Sequence, residues 1–185
     1  MAVRILTLVG SLRAGSHNRR LAEAAVQIAP DHVEVGVFDG LDTVPFYNED
    51  IDAEGSVPAA AARLREAAVE ADALLLVSPE YNGTIPAVLK NAIDWLSRPY
   101  GAGALVGKPV AVVGTAFGQY GGVWAQDEAR KAATIAGAAV AEDLTLSIPA
   151  SVVRFADLHP ADDPEVTEKL TVVIEGLAAR TTATV

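Results

Sequence analysis

The sequence predicts a doubly wound α/β sandwich, a five-stranded parallel sheet of order 2-1-3-4-5 with helices on both faces. Three observations predict it. Apolar runs of strand length alternate with segments rich in Ala, Leu, Glu, Lys and Arg, the βαβα pattern of a parallel sheet. Two of the runs, 73–77 and 110–113, are continuously apolar, as strands covered on both faces are. Polar loops containing glycine follow the first, third and fourth strands, where open α/β sheets bind ligands.

The elements follow in order. Residues 3–9 form a buried first strand. The small-residue loop Gly10-Ser11-Leu12-Arg13-Ala14-Gly15-Ser16-His17-Asn18 leads from it into a helix over about 19–29. Residues 32–38 alternate polar and apolar, as a half-exposed edge strand does. Pro58 sits near the first turn of a helix over 57–71, and Pro86 near that of a helix over 86–97. Between them lie strand 73–77 and the loop Ser78-Pro79-Glu80-Tyr81-Asn82-Gly83-Thr84-Ile85. Strand 110–113 leads to a second Gly-rich loop, 114–122, and a helix over 122–136. The last strand comes in two pieces, 138–140 and 144–146, before a helix over 163–179. Residues 1–180 read as one domain, and 181–185 as a frayed tail.

Composition narrows the function. With 14 Lys+Arg against 24 Asp+Glu, the chain carries a formal charge of −10, which disfavours nucleic acid and anionic membrane surfaces. There is no cysteine, which removes disulfides, thiolate nucleophiles and Cys-bound metals. His17, His32 and His159 show no metal-binding spacing, so no metal is expected. The uncharged stretch 109–126 is interrupted by glycines and reads as a strand and loop, not a membrane span. The N-terminal apolar run enters the first loop directly, without a signal-peptide pattern, so a cytoplasmic location is expected.

The first loop carries the chemistry. Backbone N–H groups and the positive end of the following helix favour an anion there. Ser11 and Ser16 add hydroxyls, and Arg13 adds a charge-assisted donor. The dinucleotide fingerprint fails because Leu12 stands where its second glycine belongs. The triphosphate loop fails because Ser16-His17, not Lys-Ser/Thr, follow Gly15. What remains suits one phosphomonoester.

These residues resemble the NAD(P)H-dependent FMN reductase family of the flavodoxin-like fold, which also contains quinone, azo-dye and chromate reductases. The resemblance rests on Gly10-Ser11-Leu12-Arg13 with Ser16 and Asn18. It rests also on Ser78-Pro79-Glu80-Tyr81-Asn82-Gly83 with Pro86, Leu89-Lys90-Asn91-Ala92 and Asp94-Trp95. Lys108-Pro109, Gly118 with Gly121-Gly122, and Pro45-Phe46-Tyr47-Asn48-Glu49-Asp50 fit as well, so the likeness runs from about residue 3 to 150. It implies FMN, with Ser11, Arg13, Ser16 and Asn18 on the phosphate. Pro79, Glu80, Tyr81, Asn82 and Gly83 would line the isoalloxazine, largely through main chain. Thr115 would contact the flavin or ribityl region, with Gly118 beside it. It implies two-electron transfer from NADPH or NADH, through the flavin, to a small acceptor, with no catalytic acid–base pair in the protein. An electron carrier without a nicotinamide site is the alternative, and a flavin-binding sensor a third reading. A homodimer or homotetramer is expected, from the resemblance and from two adjacent apolar stripes on 86–97. These stripes are Leu89, Ile93, Leu96 and Val88, Ala92, Trp95.

Overall fold

A computed structural model describes residues 2–181. Five strands, β1 (Val3–Val9), β2 (Val33–Val37), β3 (Ala73–Val77), β4 (Pro109–Thr115) and β5 (Ala139–Ile148), form one parallel sheet in the order β2-β1-β3-β4-β5. The crossovers contain α1 (His17–Ile28), α2 (Ala59–Glu70), α3 (Ala87–Leu96) and α4 (Val123–Ile135); a short α5 (Ser151–Arg154) and α6 (Pro164–Thr181) follow β5. Every residue of β3 and β4 is buried, which explains their unbroken apolar runs.

Each face of the sheet carries its own core. Leu21, Ala22 and Ala25 of α1 and Val166, Leu170, Val173, Ile174 and Leu177 of α6 pack against Ile5, Leu75, Val113 and Leu146. Leu64 of α2, Leu89, Ile93, Trp95 and Leu96 of α3 and Ala129 of α4 cover Leu8, Leu74, Leu76 and Val112 on the other face. Full burial of each large aliphatic side chain stabilises by about 1.5–3 kcal/mol.

Three expectations change. The two pieces of the last strand are one ten-residue strand: while β4 advances from Val110 to Val112, β5 advances from Val140 to Thr145. This bulge absorbs the polar Glu142-Asp143, and the Arg130 Nη2 donates to the Val112 carbonyl at 3.0 Å beside it. Thr181 belongs to α6, with its hydroxyl donating to the Ala178 carbonyl, and so is not frayed; 182–185 lie outside the described residues. Both apolar stripes of α3 are consumed within the chain. Leu89, Ala92, Ile93, Trp95 and Leu96 are buried and Val88 is half-buried, so the width of that face does not argue for a partner.

The loop from Val44 to Asp52 is bound tightly to α3. Asn91 accepts from the Tyr47 N–H at 2.8 Å and donates to the Val44 and Pro45 carbonyls. The Trp95 indole N–H donates to the Pro45 carbonyl at 2.7 Å, and the Tyr47 ring meets Trp95 edge-on at 5.1 Å. Arg65 lies over the Trp95 ring and forms a two-pronged pair with Asp52 at 2.6 and 2.8 Å. The Asn91 and Trp95 motif thus serves to hold a loop.

Candidate active site

The carboxyl ends of β1, β3 and β4 are neighbours in the sheet, so their three loops meet at one edge. In the first, the Ser16 N–H donates to the Arg13 carbonyl at 3.1 Å and closes a turn. Ser16 caps α1 by accepting from the Arg19 N–H, which leaves its own hydroxyl proton free to donate. Among the described residues, the N–H groups of 11–15 and of His17 and Asn18 donate to no protein acceptor. Seven N–H donors without a protein acceptor, five in the loop and two in the first turn of α1, are available to an anion.

The electrostatics agree. Arg13 and Arg20 have no carboxylate partner among the described residues. Arg20 donates only to the Phe155 and Leu158 carbonyls, each at 3.0 Å. The imidazole of His17 is held below its ordinary pKa by burial, then by the charges of Arg20 and Arg13. Its Nδ1 is buried without a hydrogen-bond partner. A chain of net charge −10 therefore keeps a positive spot at this loop. The exposed Arg13 side chain lies over Gly15, and Ser11 is half-exposed with a free hydroxyl. A terminal phosphate fits this set of donors.

Asn18 requires a correction. The resemblance places its side chain on the phosphate, but both ends of its amide are engaged. Nδ2 donates to the Thr115 carbonyl at 2.8 Å, and Oδ1 accepts from the Thr115 N–H at 3.0 Å. Only the Asn18 main-chain N–H remains for a ligand. The Thr115 hydroxyl, buried, donates to the Ile148 carbonyl at 2.9 Å, so toward a ribityl chain it can only accept.

The second loop is a tight hairpin. Tyr81 and Thr84 exchange both backbone hydrogen bonds, at 3.2 and 3.1 Å, while Asn82 and Gly83 take φ of 53° and 74°. That is the left-handed pair a two-residue turn requires, and Asn-Gly is its sequence signature. Tyr81, Asn82 and Gly83 are exposed, Pro79 is buried, and the Glu80 carboxylate accepts from the Ala125 N–H in the first turn of α4 at 3.2 Å. Glu80 thereby joins the second loop to the third. Gly118 is exposed, and its carbonyl accepts from Gly121 and Ala150. Main-chain groups and flat aromatic surface dominate this end, as a planar ring system needs.

Two hollows lie off this edge. One of about 380 Å³ sits between the first loop and the end of β2, with Arg13, Arg19, Asp39 and Asp42 on its wall. There Arg19 is satisfied by Asp39 at 2.6 Å and Glu23 at 3.2 Å. The other, a groove of about 620 Å³, lies between α3 and α4 near their carboxyl ends, lined by Lys90, Ile93, Asp94, Val106, Lys131 and Ile135. Among the described residues there is no metal-binding cluster and no helix long and apolar enough to cross a membrane.

Residues 3–153 match the family described as NADPH-dependent FMN reductase. A 2-hydroxy-1,4-benzoquinone reductase of Burkholderia sp. is 42% identical over 130 residues, 70% of this chain and 69% of that protein. An NAD(P)H-dependent FMN reductase of Pseudomonas aeruginosa is 37% identical over 164 residues, 89% and 76% of the two chains. Among solved structures, the flavoenzyme NAD(P)H:(acceptor) oxidoreductase FerB of Paracoccus denitrificans superposes with a TM-score of 0.86 over 98% of each chain at 28% identity.

Proposed function

The chain belongs to the NADPH-dependent FMN reductase family, and from that premise we propose that it reduces quinones with electrons from NAD(P)H. It is an oxidoreductase, with FMN as cofactor and a nicotinamide nucleotide as donor. Bound FMN supplies hydride acceptance and two-electron delivery, chemistry no side chain here provides. Overall, one NAD(P)H and one proton are consumed for each quinone reduced to hydroquinone.

The protein's part is to hold and expose. Ser11, Arg13 and Ser16, with the free N–H groups of the first loop, hold the phosphate. Asn18 acts as a positioning residue, fixing that loop to Thr115. Pro79, Glu80, Tyr81, Asn82 and Gly83 line the ring through main chain, with Gly118 across from them. The observation that carries this reading is the set of seven N–H donors without a protein acceptor beside the exposed Asn82-Gly83 hairpin. A quinone acceptor is supported by the relative named for a benzoquinone substrate at 42% identity. The test is a steady-state panel on FMN-loaded protein, NADPH and NADH against benzoquinone, free flavin, an azo dye and chromate. Benzoquinone is expected to give the highest kcat/KM, and a higher value for any other acceptor overturns the assignment.

Self-association and a cytoplasmic location belong to the same proposal. The groove between α3 and α4 is the face on which a homodimer would close, with Lys90–Asp94 and Glu128–Lys131 pairs near an apolar strip. Light scattering at micromolar concentration tests it, and a monomeric mass refutes it.

A further inference from the structure

Tyr120 and Trp124 stand at the edge of the site with no assigned task. Their rings lie 5.3 Å apart, tilted by 56°, and remain 56% and 53% exposed. Large rings left in water forgo burial, so their placement needs a reason. Their mount is rigid. Between them the backbone at Gly121 presses on β5, where a Cβ would come within 2.7 Å of Ser147. The buried Gln126 donates to the Gly121 carbonyl at 3.1 Å and accepts from the Ser147 hydroxyl at 3.0 Å. Glu80, on the ring-lining loop, bonds the Ala125 N–H next to Trp124. Among the described residues neither the Trp124 indole N–H nor the Tyr120 hydroxyl has a protein hydrogen-bond partner, leaving two side-chain donors free at the rings.

We infer that Tyr120 and Trp124 form an aromatic wall that selects flat, carbonyl-bearing acceptors over compact inorganic ones. The inference rests on the proposed function and adds the residues that set acceptor preference. A flat acceptor gains offset or edge contact with the rings, and its carbonyl meets the free N–H. A compact inorganic anion has no face to stack and gains nothing from the rings.

The experiment uses the FMN-loaded enzyme with 1,4-benzoquinone and ferricyanide as acceptors. Trp124→Ala is expected to raise KM for benzoquinone about 3- to 10-fold, the range for an aromatic pair. The KM for ferricyanide stays at its wild-type value. Trp124→Phe restores most of the benzoquinone KM, and Tyr120→Ala shifts it in the same direction as Trp124→Ala. Equal shifts for the two acceptors, or no shift for either, overturn the aromatic wall. So does a changed mass by light scattering with unchanged KM, which would assign the rings to contact between copies. If wild-type enzyme oxidises NAD(P)H with neither acceptor, the proposed function itself fails.

Discussion

Asn18 and Thr115 are joined by two hydrogen bonds across 97 positions of chain, the amide of one meeting both backbone groups of the other at 2.8 and 3.0 Å. The first loop and the end of β4 are thereby held in one fixed relation. Asn18→Ala leaves the N–H and C=O of Thr115 buried and unpaired, at a cost of about 1–3 kcal/mol for each group left unsatisfied. The expected outcome is a clear fall in the thermal midpoint of the FMN-free protein, together with weaker FMN binding. An unchanged midpoint would return the Asn18 side chain to the ligand.

Arg13 behaves in the opposite way. It is exposed and lacks a carboxylate partner among the described residues, so Arg13→Ala leaves the stability of the FMN-free protein unchanged. FMN affinity is expected to fall by about 1.5–3 kcal/mol, the range for hydrogen bonds to charged groups. Riboflavin, which has no phosphate, binds wild type and variant alike. Fluorescence titration with both ligands checks the pair of outcomes.

Acid sensitivity is expected at the start of α6. Asp163 accepts from Arg154 at 2.7 and 2.9 Å and from the N–H groups of Glu165 and Val166. The Arg154 guanidinium, with those N–H groups, holds the Asp163 carboxyl below its usual pKa of 3.8. A carboxyl with a depressed folded-state pKa contributes stability that is complete above the unfolded value and is lost as pH falls through the folded one. Asp163→Ala therefore costs about 2 kcal/mol at pH 7, as loss of a helix cap does, and the difference from wild type narrows below pH 4. Denaturant curves at pH 7 and pH 3 measure it, and a gap that does not narrow contradicts the pairing.

The open loop edge predicts the kinetic pattern. Tyr81, Asn82, Gly83, Phe117 and Gly118 are all exposed, so one opening serves both donor and acceptor. Double-reciprocal plots against NAD(P)H are expected to stay parallel as quinone is varied. Intersecting lines would mean that both are bound at once.

The sheet was legible because β3 and the centre of β4 are unbroken apolar runs, β1 is apolar apart from Arg4 and Thr7, and a polar loop containing glycine follows each of the three. The first loop was legible as an anion site because its residue types are those that free backbone donors. Long-range side-chain bonds were not. Nothing near Asn18 points to Thr115, and nothing near Asn91 or Trp95 points to Pro45. The bulge in β5 hid a single strand behind Glu142-Asp143, which alternation of polarity could not bridge. The Asn82-Gly83 hairpin was visible in principle, since that dipeptide between short extended segments is a turn signal.

The clamp between α3 and the loop at 44–52 has a mechanical consequence. Pro86 directly precedes α3, and the Tyr81–Thr84 hairpin lies two residues before it. The exposed Phe46, whose two chain neighbours are held by Asn91 and Trp95, is thus tied through α3 to the hairpin. The Glu80 carboxylate carries the same connection on to the Ala125 N–H, so α3, the hairpin and the first turn of α4 share one frame around the mouth of the site.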